Sequence, residues 1–568
     1  MQLCNHDKAL WKSAYDEEFY GLQELPAWSV IDEKTYTKLK PIVGEALPSM
    51  AISTIKYDQD GKPKRVEWRI VALGNLDPHT WSSKEVFAPV MTMLELRVLV
   101  SLAINHKRPL KSGDVKQAFV KATLPETEQY IIRPPAGCPN SKPNTYWLLK
   151  RTLYGLKRSP RHWFLKATEL LCRCGLEPTP NNPCLFVGKP DGKNTLYLGL
   201  YVDDFVYFSP SSECEAIFEQ KLRSLTSVDF MGTVSHFLGI KFQWKRHNDG
   251  HLDTHLSQPA FAEQLIQSAG LSTDSSASKP TPFRPGCPID TIPNIPLPQQ
   301  EQDLLTTKMC SLVASLLWLS QGTRNDLSTI TSLLAQYQAN PSPGHLQAAK
   351  YAIRYLKGTK NLGITFSSRP NEHLESFLHF PVSPKTTTPF TDANWGPQDQ
   401  SKPKQGKTPP ELDLFKARSM SGFLILFNGP IHWASKRQKI TARSSAEAEI
   451  YATDECVKEL LRLRIIWMDL NVLHIYMPKQ KPITVFNDNM ACVYWSKATT
   501  TKGLRHITIR ENAIREAMQQ NIVNVKHIAG NVNLADIFTK KHKGISHFLV
   551  IRDQIATSPF APNNIPVI

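Results

Sequence analysis

The feature that most constrains this chain is a pair of adjacent acids, Asp203 and Asp204, between apolar runs at residues 196–200 and 205–208. Both runs are rich in β-branched and aromatic residues, so the pattern predicts a strand, a tight turn that carries the acids, and a second strand. Two like charges at an apolar hairpin tip repel each other, and hard divalent cations prefer oxygen ligands. A solvated acidic turn is the alternative for these residues taken alone.

Length and composition favour a multidomain protein with a polyanionic partner. A chain of 568 residues is too long for one core, and about two to four domains are expected. Lys and Arg number 67 against 51 Asp and Glu, and this excess favours nucleic acid as a partner, with generic basicity as the alternative. Ten irregularly spaced cysteines fit a reducing compartment. Since we find neither a membrane-length apolar run nor a signal peptide, we expect no membrane partner and a cytoplasmic or nuclear location.

Polar, proline-bearing stretches divide the sequence. The predicted organisation is a first block at 8–271, a Pro-rich linker at 272–302, a helical block at 303–366, a second linker at 367–388, a last domain at 389–545 and a C-terminal tail at 546–568. Leu312, Leu316 and Leu319 recur at helical spacing in the helical block. A further polar insert, residues 396–410, interrupts the last domain.

A third acid of the first block, Asp114, follows a turn and precedes the aromatic Phe119. Asp114 and Asp203 are 89 positions apart (203 − 114), so only a tertiary fold brings them together. If they meet, Asp114, Asp203 and Asp204 can hold two Mg²⁺ ions, one to activate a primer 3′-hydroxyl and one to bridge a triphosphate. An aromatic face at Phe119 would pack under the incoming sugar and exclude a 2′-hydroxyl; ordinary core packing is the alternative.

The last domain contains its own set of acids. Asp392 and Asp488 each end a predicted strand, whereas Glu449 lies in a predicted helix and Asp536 in a short one. Because Glu447 has a helix-capping role available, Glu449 is the better functional candidate of the two. Acids at strand ends and on helices are how mixed α/β nucleases gather carboxylates around metal ions.

Several segments, in this order, resemble the reverse transcriptase–RNase H portion of a copia-type (Pseudoviridae) LTR retrotransposon Pol polyprotein. The segments are residues 11–18 (WKSAYDEE), 87–90 (FAPV), 153–161 (LYGLKRSPR), 237–240 (FLGI), 322–327 (GTRNDL) and 355–359 (YLKGT). The resemblance implies an α+β multidomain fold. It would comprise a right-hand fingers–palm–thumb polymerase, a helical connection and an RNase H-like α/β domain.

The resemblance also implies functional residues. The catalytic and metal-binding residues would be Asp114, Asp203, Asp204, Asp392, Glu449, Asp488 and Asp536. The substrate-binding residues would be Arg69, Phe119, Gly155 and Lys157. A solvated surface cation is the alternative role for Arg69 and Lys157. The implied cofactor is Mg²⁺, two ions per active site, or Mn²⁺.

The implied function is RNA- and DNA-directed DNA synthesis with hydrolysis of RNA in RNA–DNA hybrids, serving transposition. The partners would be an RNA template, a DNA primer, the hybrid, dNTPs and other Pol or Gag products, in a cytoplasmic virus-like particle. Two alternatives stay open. One is an inactive remnant that binds nucleic acid, and the other is a nuclease with an inactive polymerase.

Residues 66–74 depart from the family pattern, since they gain an acid at Glu67 and lack a lysine near Leu73. Lost positive charge beside a triphosphate predicts a raised nucleotide KM. His506 and His527 are excluded from the catalytic set, because a structural or nucleic-acid-contacting role suits them at least as well.

Overall fold

The structure is a computed structural model that describes residues 5–57, 63–136, 138, 142–272, 277–284, 289, 292–293, 295–395, 418–477, 481–497, 508–540 and 544–560. The predicted insert at 396–410 and the histidine at position 506 lie outside the described residues. The chain divides into two compact units, Met1–Met91 with Lys111–Gly232 and Thr92–Leu110 with Thr233–Ile568.

The α-helices of the described chain are α1 (Asn5–Glu24), α2 (Glu33–Val43), α3 (Ser83–Val86), α4 (Met93–Asn105), α5 (Ser159–Arg173), α6 (Ser212–Leu225), α7 (Pro259–Ser268), α8 (Gln299–Gly322), α9 (Ser328–Ala335), α10 (Pro343–Gly358), α11 (Glu372–Leu378), α12 (Ser445–Asp469), α13 (Leu473–Tyr476), α14 (Met490–Lys497), α15 (Thr508–Gln519) and α16 (Ile545–Ile555). Short 3₁₀ helices lie at Gly74–Leu76, Phe119–Lys121, Asn325–Leu327 and Leu534–Phe538.

The β-strands of the described chain are β1 (Trp28–Asp32), β2 (Ser49–Tyr57), β3 (Pro63–Ala72), β4 (Lys111–Val115), β5 (Ile131–Ile132), β6 (Thr145–Leu149), β7 (Leu176–Pro178), β8 (Leu185–Gly188), β9 (Leu196–Tyr201), β10 (Asp204–Phe208), β11 (Val228–Thr233), β12 (His236–Phe237), β13 (Ile240–Arg246), β14 (Leu252–Ser257), β15 (Gly363–Ser367), β16 (Thr388–Asn394), β17 (Met420–Leu426), β18 (Pro430–Arg437), β19 (Ile483–Asn487) and β20 (Val523–His527).

The first unit is organised around a six-stranded sheet of order β11-β4-β10-β9-β8-β7. Strands β9 and β10 pair antiparallel through a two-residue turn, which confirms the predicted acidic hairpin. Helices α5 and α6 cover the sheet, because Trp163, Leu170 and Phe218 lie in one buried cluster with Leu198 and Phe205. The apolar burial that stabilises this unit therefore lies directly under the acidic turn.

A second core in the same unit joins α1 to two smaller sheets. Strands β2 and β3 form a long hairpin, and β1, β6 and β5 form a three-stranded sheet. Helix α1 packs against β3. Phe19, Ile70 and Trp147 lie together in its buried cluster, and the ring of Trp147 stacks on Trp28 with centroids 4.1 Å apart.

In the second unit, a five-stranded sheet has the order β18-β17-β16-β19-β20. Strands β16, β19 and β20 are parallel, whereas β17 pairs antiparallel with both β16 and β18. Helix α12 packs across β16 and β17. Because β16 and β19 point the same way, the acids at their carboxyl ends reach the same edge of the sheet.

The rest of the second unit combines a four-stranded sheet, β12-β13-β14-β15, with helices α7 to α10. Its interior contains an ion pair, since the Arg324 guanidinium donates to both carboxylate oxygens of Asp326 at 2.9 and 2.7 Å. The hydroxyl of Tyr355 donates to the same carboxylate at 2.5 Å. All three side chains are buried, and the Arg324 guanidinium also donates to the carbonyl and hydroxyl oxygens of Thr359 at 2.8 and 2.9 Å.

These units confirm the predicted α+β multidomain class, because each combines helices with its own sheets. None of the helices in the described part of the chain has the length and apolar character that crossing a membrane requires.

Candidate active sites

The first candidate site is the hairpin cluster, consisting of Asp114, Asp203 and Asp204. Strand β10 lies between β9 and β4, and Asp204 stands directly opposite Asp114 in the register. The backbone N–H of Val115 donates to the carbonyl of Asp203 at 3.0 Å. All three acids are half-buried. The pairing of β4 with β10 brings Asp114 close to Asp203, although 89 positions separate them in the sequence.

The turn that carries Asp203 has unusual backbone geometry. Val202 has a φ of 58°, a left-handed conformation that β-branched residues rarely adopt. The indole N–H of Trp163, on α5, donates to the Val202 carbonyl at 2.6 Å. The buried indole therefore holds a strained turn at the point where two carboxylates must be positioned.

An aromatic pair connects the hairpin cluster to Arg69. The rings of Phe119 and Tyr154 meet edge to face, with centroids 5.2 Å apart, and the Arg69 guanidinium lies 5.2 Å from the Tyr154 centroid. Burial, together with the negative charges of nearby Glu18, Asp203 and Asp114, raises the pKa of the Tyr154 hydroxyl above its ordinary range. Sequence reasoning did not single out Tyr154, although it lies in the quoted 153–161 segment.

Two further acids lie near Arg69. A Glu67 oxygen is 3.6 Å from the Arg69 guanidinium, so the acid that departs from the family pattern does reduce the local positive charge. Burial raises the pKa of Glu18, on α1, to about 7. Arg69 itself keeps 44% of its side-chain surface exposed, which leaves its guanidinium accessible to a ligand.

The other two predicted substrate-binding residues have local structural roles. Lys157 donates to the backbone carbonyl of Asp77 at 2.9 Å and is otherwise exposed. Gly155 has a φ of +90°, and a Cβ there would lie 2.0 Å from the carbonyl oxygen of Ala72. Gly155 is therefore required by the close approach of two backbone segments, whether or not a substrate binds.

The second candidate site is the buried cluster, consisting of Asp392, Asp488 and Asp536. Carboxylate oxygens from these three residues all lie within 4.8 Å of one another. Asp392 lies on β16, Asp488 directly follows β19, and Asp536 belongs to the 3₁₀ helix at Leu534–Phe538, which packs against β16 and β17. The cluster thus combines Asp392, near the carboxyl end of β16, and Asp488, just past β19, with one helical turn.

Asn533 fixes that 3₁₀ helix to the sheet. Its side-chain oxygen accepts from the N–H of Ala535 at 3.1 Å, which caps the helix. Its amide nitrogen donates to the carbonyl of Thr391 at 3.0 Å, next to Asp392. The cap therefore sets where Asp536 stands relative to Asp392.

Glu449, on α12, lies beside the buried cluster and is not one of its three members. One of its oxygens accepts from the amide of Asn487 at 3.0 Å. Burial, reinforced by the charges of Asp392 and Asp488, raises the pKa of Glu449 well above its ordinary range. Asp392 behaves likewise, since burial and the charge of Asp536 raise its pKa well above its usual value.

The acids lie close together and are shielded from water, so their like charges repel one another. An all-oxygen set of carboxylates suits a hard divalent cation such as Mg²⁺ or Mn²⁺. The residues at the buried cluster therefore fit a metal centre, with Asp392, Asp488 and Asp536 as its carboxylate ligands and Glu449 beside them.

Sequence reasoning missed two basic residues at the buried cluster. Lys540 has its Nζ 3.2 Å from Asp392 and 3.6 Å from Asp488, and it also forms an ion pair with Asp536. His547, on α16, has its Nε2 3.1 Å from the other Asp536 oxygen. The spacing from Asp536 to Lys540, four residues, was the signal that could have identified the lysine.

Ser444 caps α12 through the N–H of Glu447 at 3.1 Å, while the Glu447 carboxylate accepts from the N–H of Arg443 at 2.6 Å. Glu447 thus binds the backbone at the start of α12, but at the N–H one residue before the Ser444 N–H that a capping box uses. His527 ends β20 opposite Asn487 and is exposed, outside the three-carboxylate group.

Comparison with known proteins identifies relatives of the chain. Residues 33–283 match the family described as reverse transcriptase (RNA-dependent DNA polymerase). The chain is 28% identical over 492 residues to the retrovirus-related Pol polyprotein from transposon RE1 of Arabidopsis thaliana, covering 86% of this chain and 30% of that protein. It is 26% identical over 545 residues to the counterpart from transposon TNT 1-94 of Nicotiana tabacum, covering 95% of this chain and 37% of that protein.

A solved foamy viral protease-reverse transcriptase in complex with double-stranded DNA has a TM-score of 0.44 and 11% identity, covering 91% of this chain and 69% of that chain. The sequence relatives confirm the resemblance predicted above, and the chain spans about a third of their length. Residues 33–283 thus carry a reverse transcriptase domain, and the chain is related to the Pol polyproteins of copia-type retrotransposons.

Proposed function

We propose that the chain catalyses two reactions of reverse transcription. The hairpin cluster would carry RNA- and DNA-directed DNA synthesis from dNTPs, and the buried cluster would hydrolyse RNA in the resulting hybrid. The observation that carries the proposal is that acids far apart in the chain meet at two places. Asp204 stands opposite Asp114 in the sheet register, and carboxylate oxygens of Asp392, Asp488 and Asp536 lie within 4.8 Å of one another. The match of residues 33–283 to the reverse transcriptase family supports the polymerase half of the proposal.

In the polymerase, Asp114, Asp203 and Asp204 would hold divalent ions. Such ions, when bound, supply Lewis-acid activation of a hydroxyl and neutralise triphosphate charge. We infer that the Arg69 guanidinium contacts the triphosphate and that Phe119, braced by Tyr154, limits the space at the sugar 2′ position. The contact between the two rings supports this role for Phe119.

In the nuclease, Asp392, Asp488 and Asp536 would hold the metal, with Glu449 beside them. The hydroxyl of Thr539 donates to Asp392, and the amide of Asn487 donates to Glu449, so both carboxylates are oriented before any ligand binds. RNA template, DNA primer and RNA–DNA hybrid would be the nucleic-acid partners. Assembly with other Gag and Pol products in a cytoplasmic particle belongs to the same proposal.

The test is to measure both activities on each of two variants of the full chain. Asp203→Asn/Asp204→Asn should abolish Mg²⁺-dependent primer extension on an RNA template and leave hybrid cleavage unchanged. Glu449→Gln should abolish hybrid cleavage and leave primer extension unchanged. Asp229→Asn, in the same sheet as the hairpin cluster, and Glu455→Gln, on the same helix as Glu449, are matched controls, because both acids lie outside the clusters. Asp229 is exposed, and Glu455 keeps 40% of its side-chain surface exposed.

A folded, hybrid-binding chain that cleaves the hybrid but does not extend the primer would refute the proposed polymerase activity. The alternative of a nuclease with an inactive polymerase would then replace it, and the acid Glu67 beside Arg69 favours that alternative. A folded chain with neither activity would establish the inactive remnant.

A further inference from the structure

Lys540 lies among the oxygens of the buried cluster. Its Nζ is 3.2 Å from one oxygen of Asp392 and 3.6 Å from one of Asp488, and it forms its third ion pair with Asp536. Only 22% of its side-chain surface is exposed. Ordinary surface lysines form one ion pair of little energetic consequence, whereas this one is shared by three buried or half-buried acids.

The three carboxylates that hold Lys540 are the same three that would hold a metal ion. Their ligand oxygens lie within 4.8 Å of one another, so they enclose one small space. A Mg²⁺ ion takes oxygen ligands at about 2.1 Å, well inside the 3.2 and 3.6 Å that separate Nζ from Asp392 and Asp488. An ammonium and a divalent ion in that space would repel each other, so they compete for the same three carboxylates.

The geometry points to Lys540 as a resident counter-cation of the nuclease site, which a divalent ion displaces when it binds. This inference rests on the proposed nuclease function, because that function assigns metal to the cluster. The inference adds to that function the residue that competes with the metal ion and so sets the apparent affinity of the site for the ion.

Charge balance gives the reason for displacement. Asp392, Glu449, Asp488 and Asp536 together carry at most four negative charges, and two divalent ions would supply four positive ones. With both ions bound, an ammonium in the same space is surplus and is repelled. Before they bind, the same ammonium offsets part of the repulsion among acids that burial separates from water.

The position of Lys540 in the chain allows the exchange. Its stem follows the 3₁₀ helix at Leu534–Phe538, whose place is fixed by the Asn533 cap and by packing on the sheet. The ammonium sits at the end of a flexible four-carbon stem. The head group can therefore leave toward solvent while Asp536 keeps its position.

The first experiment measures Mg²⁺ binding to the full chain by calorimetry, without nucleic acid and in an Asp203→Asn/Asp204→Asn background that removes the hairpin cluster as a second site. Lys540→Met removes the charge at nearly constant length, and we expect it to tighten Mg²⁺ binding by at least about tenfold. Lys540→Arg should stay within about threefold of the parent, because it keeps a cation there.

Lys458→Met is the matched control. Lys458 also has two acidic partners, Asp454 at 2.8 Å and Glu455 at 3.1 Å, but it lies on α12 and contacts none of the three cluster acids. It should leave Mg²⁺ affinity unchanged. Equal or weaker Mg²⁺ binding by Lys540→Met, with Lys458→Met at parental affinity, would overturn the displacement model and leave Lys540 as a purely structural lysine.

A second measurement uses the unaltered chain and so does not depend on any variant folding. Acylation of the Lys540 amine, followed by mass spectrometry, should rise several-fold when Mg²⁺ is added, while that of Lys458 should not change. Unchanged or reduced acylation of Lys540, in a chain that cleaves hybrid normally, would overturn this inference alone. Increased acylation in a chain that does not cleave hybrid would uphold it and defeat the proposed nuclease instead.

Discussion

A single methyl group at Gly113 should separate the acids of the hairpin cluster. Gly113 precedes Asp114 on β4 and stands opposite Phe205 on β10. A Cβ at this position would lie 2.4 Å from the Cζ atom of Phe205 and within 3.0 Å of both neighbouring ring carbons. The Phe205 ring is 1% exposed and packed in the core, so it has little room to turn aside.

The size of the effect follows from that overlap. Ordinary contacts begin at 3.4 Å, so Gly113→Ala requires roughly 1.0 Å of relief (3.4 − 2.4), which β4 and β10 must supply by moving apart. Overpacking of this kind costs about 1–3 kcal/mol of stability. A displacement of about 1 Å between reacting groups costs on the order of a hundredfold in rate.

We therefore expect Gly113→Ala to lower primer extension by about a hundredfold at a temperature where the chain remains folded, with hybrid cleavage unchanged. Gly544→Ala is the control, since a Cβ there meets no atom within 4 Å and its backbone is extended. Full extension activity in a folded Gly113→Ala chain would refute the assignment of Asp114 and Asp204 to one site through strand register.

Two further predictions concern buried charge. Asp326→Asn leaves the charge of the buried Arg324 guanidinium uncompensated, and it should lower the unfolding free energy of the second unit, measured in urea, by about 3–5 kcal/mol. Asp249→Asn, at an exposed pair with Arg369, should change that free energy little. Equal stability of the two variants would contradict this prediction. Because the pKa of Glu18 is raised from 4.5 to about 7, the stability that its neutral form contributes is present below pH 4.5 and is lost as pH rises through 7. Glu18→Gln should therefore remove up to about 3 kcal/mol of the stability difference between pH 5 and pH 8, and an unchanged difference would count against a buried carboxyl at that position.

The acidic hairpin was predictable because every determinant of it is local. Apolar runs on both sides of Asp203 and Asp204 specify two strands, and the short gap specifies the turn. The strand ends that carry Asp392 and Asp488 follow from the same kind of pattern. What could not be predicted was the partner of each strand, since pairing β4 with β10 depends on packing far along the chain.

Contacts made by side chains across elements were also beyond the sequence pattern. The Arg69 and Tyr154 contact joins β3 to the segment before α5, and nothing in the spacing of those residues indicates it. Phe119 shows why two interpretations had to stay open. Its ring packs against the core cluster of the sheet and also meets Tyr154 beside the acids, so core packing and a role at the site are compatible.

In both clusters, carboxylates of like charge lie close together, but their surroundings differ. The acids of the hairpin cluster are half-buried at a turn, where water still solvates part of each carboxylate and weakens their repulsion. Asp392 and Asp536 are almost fully buried, so water cannot do this for them, and the raised pKa of Asp392 records the cost. Lys540 is a cation supplied by the chain itself, and it lets such a site fold before metal binds. If the site later exchanges this cation for a metal ion, the cationic group must be carried on a long, flexible side chain. A lysine four residues beyond the last acid meets both requirements, because one helical turn returns its head group to the carboxylate while its stem remains free to swing away.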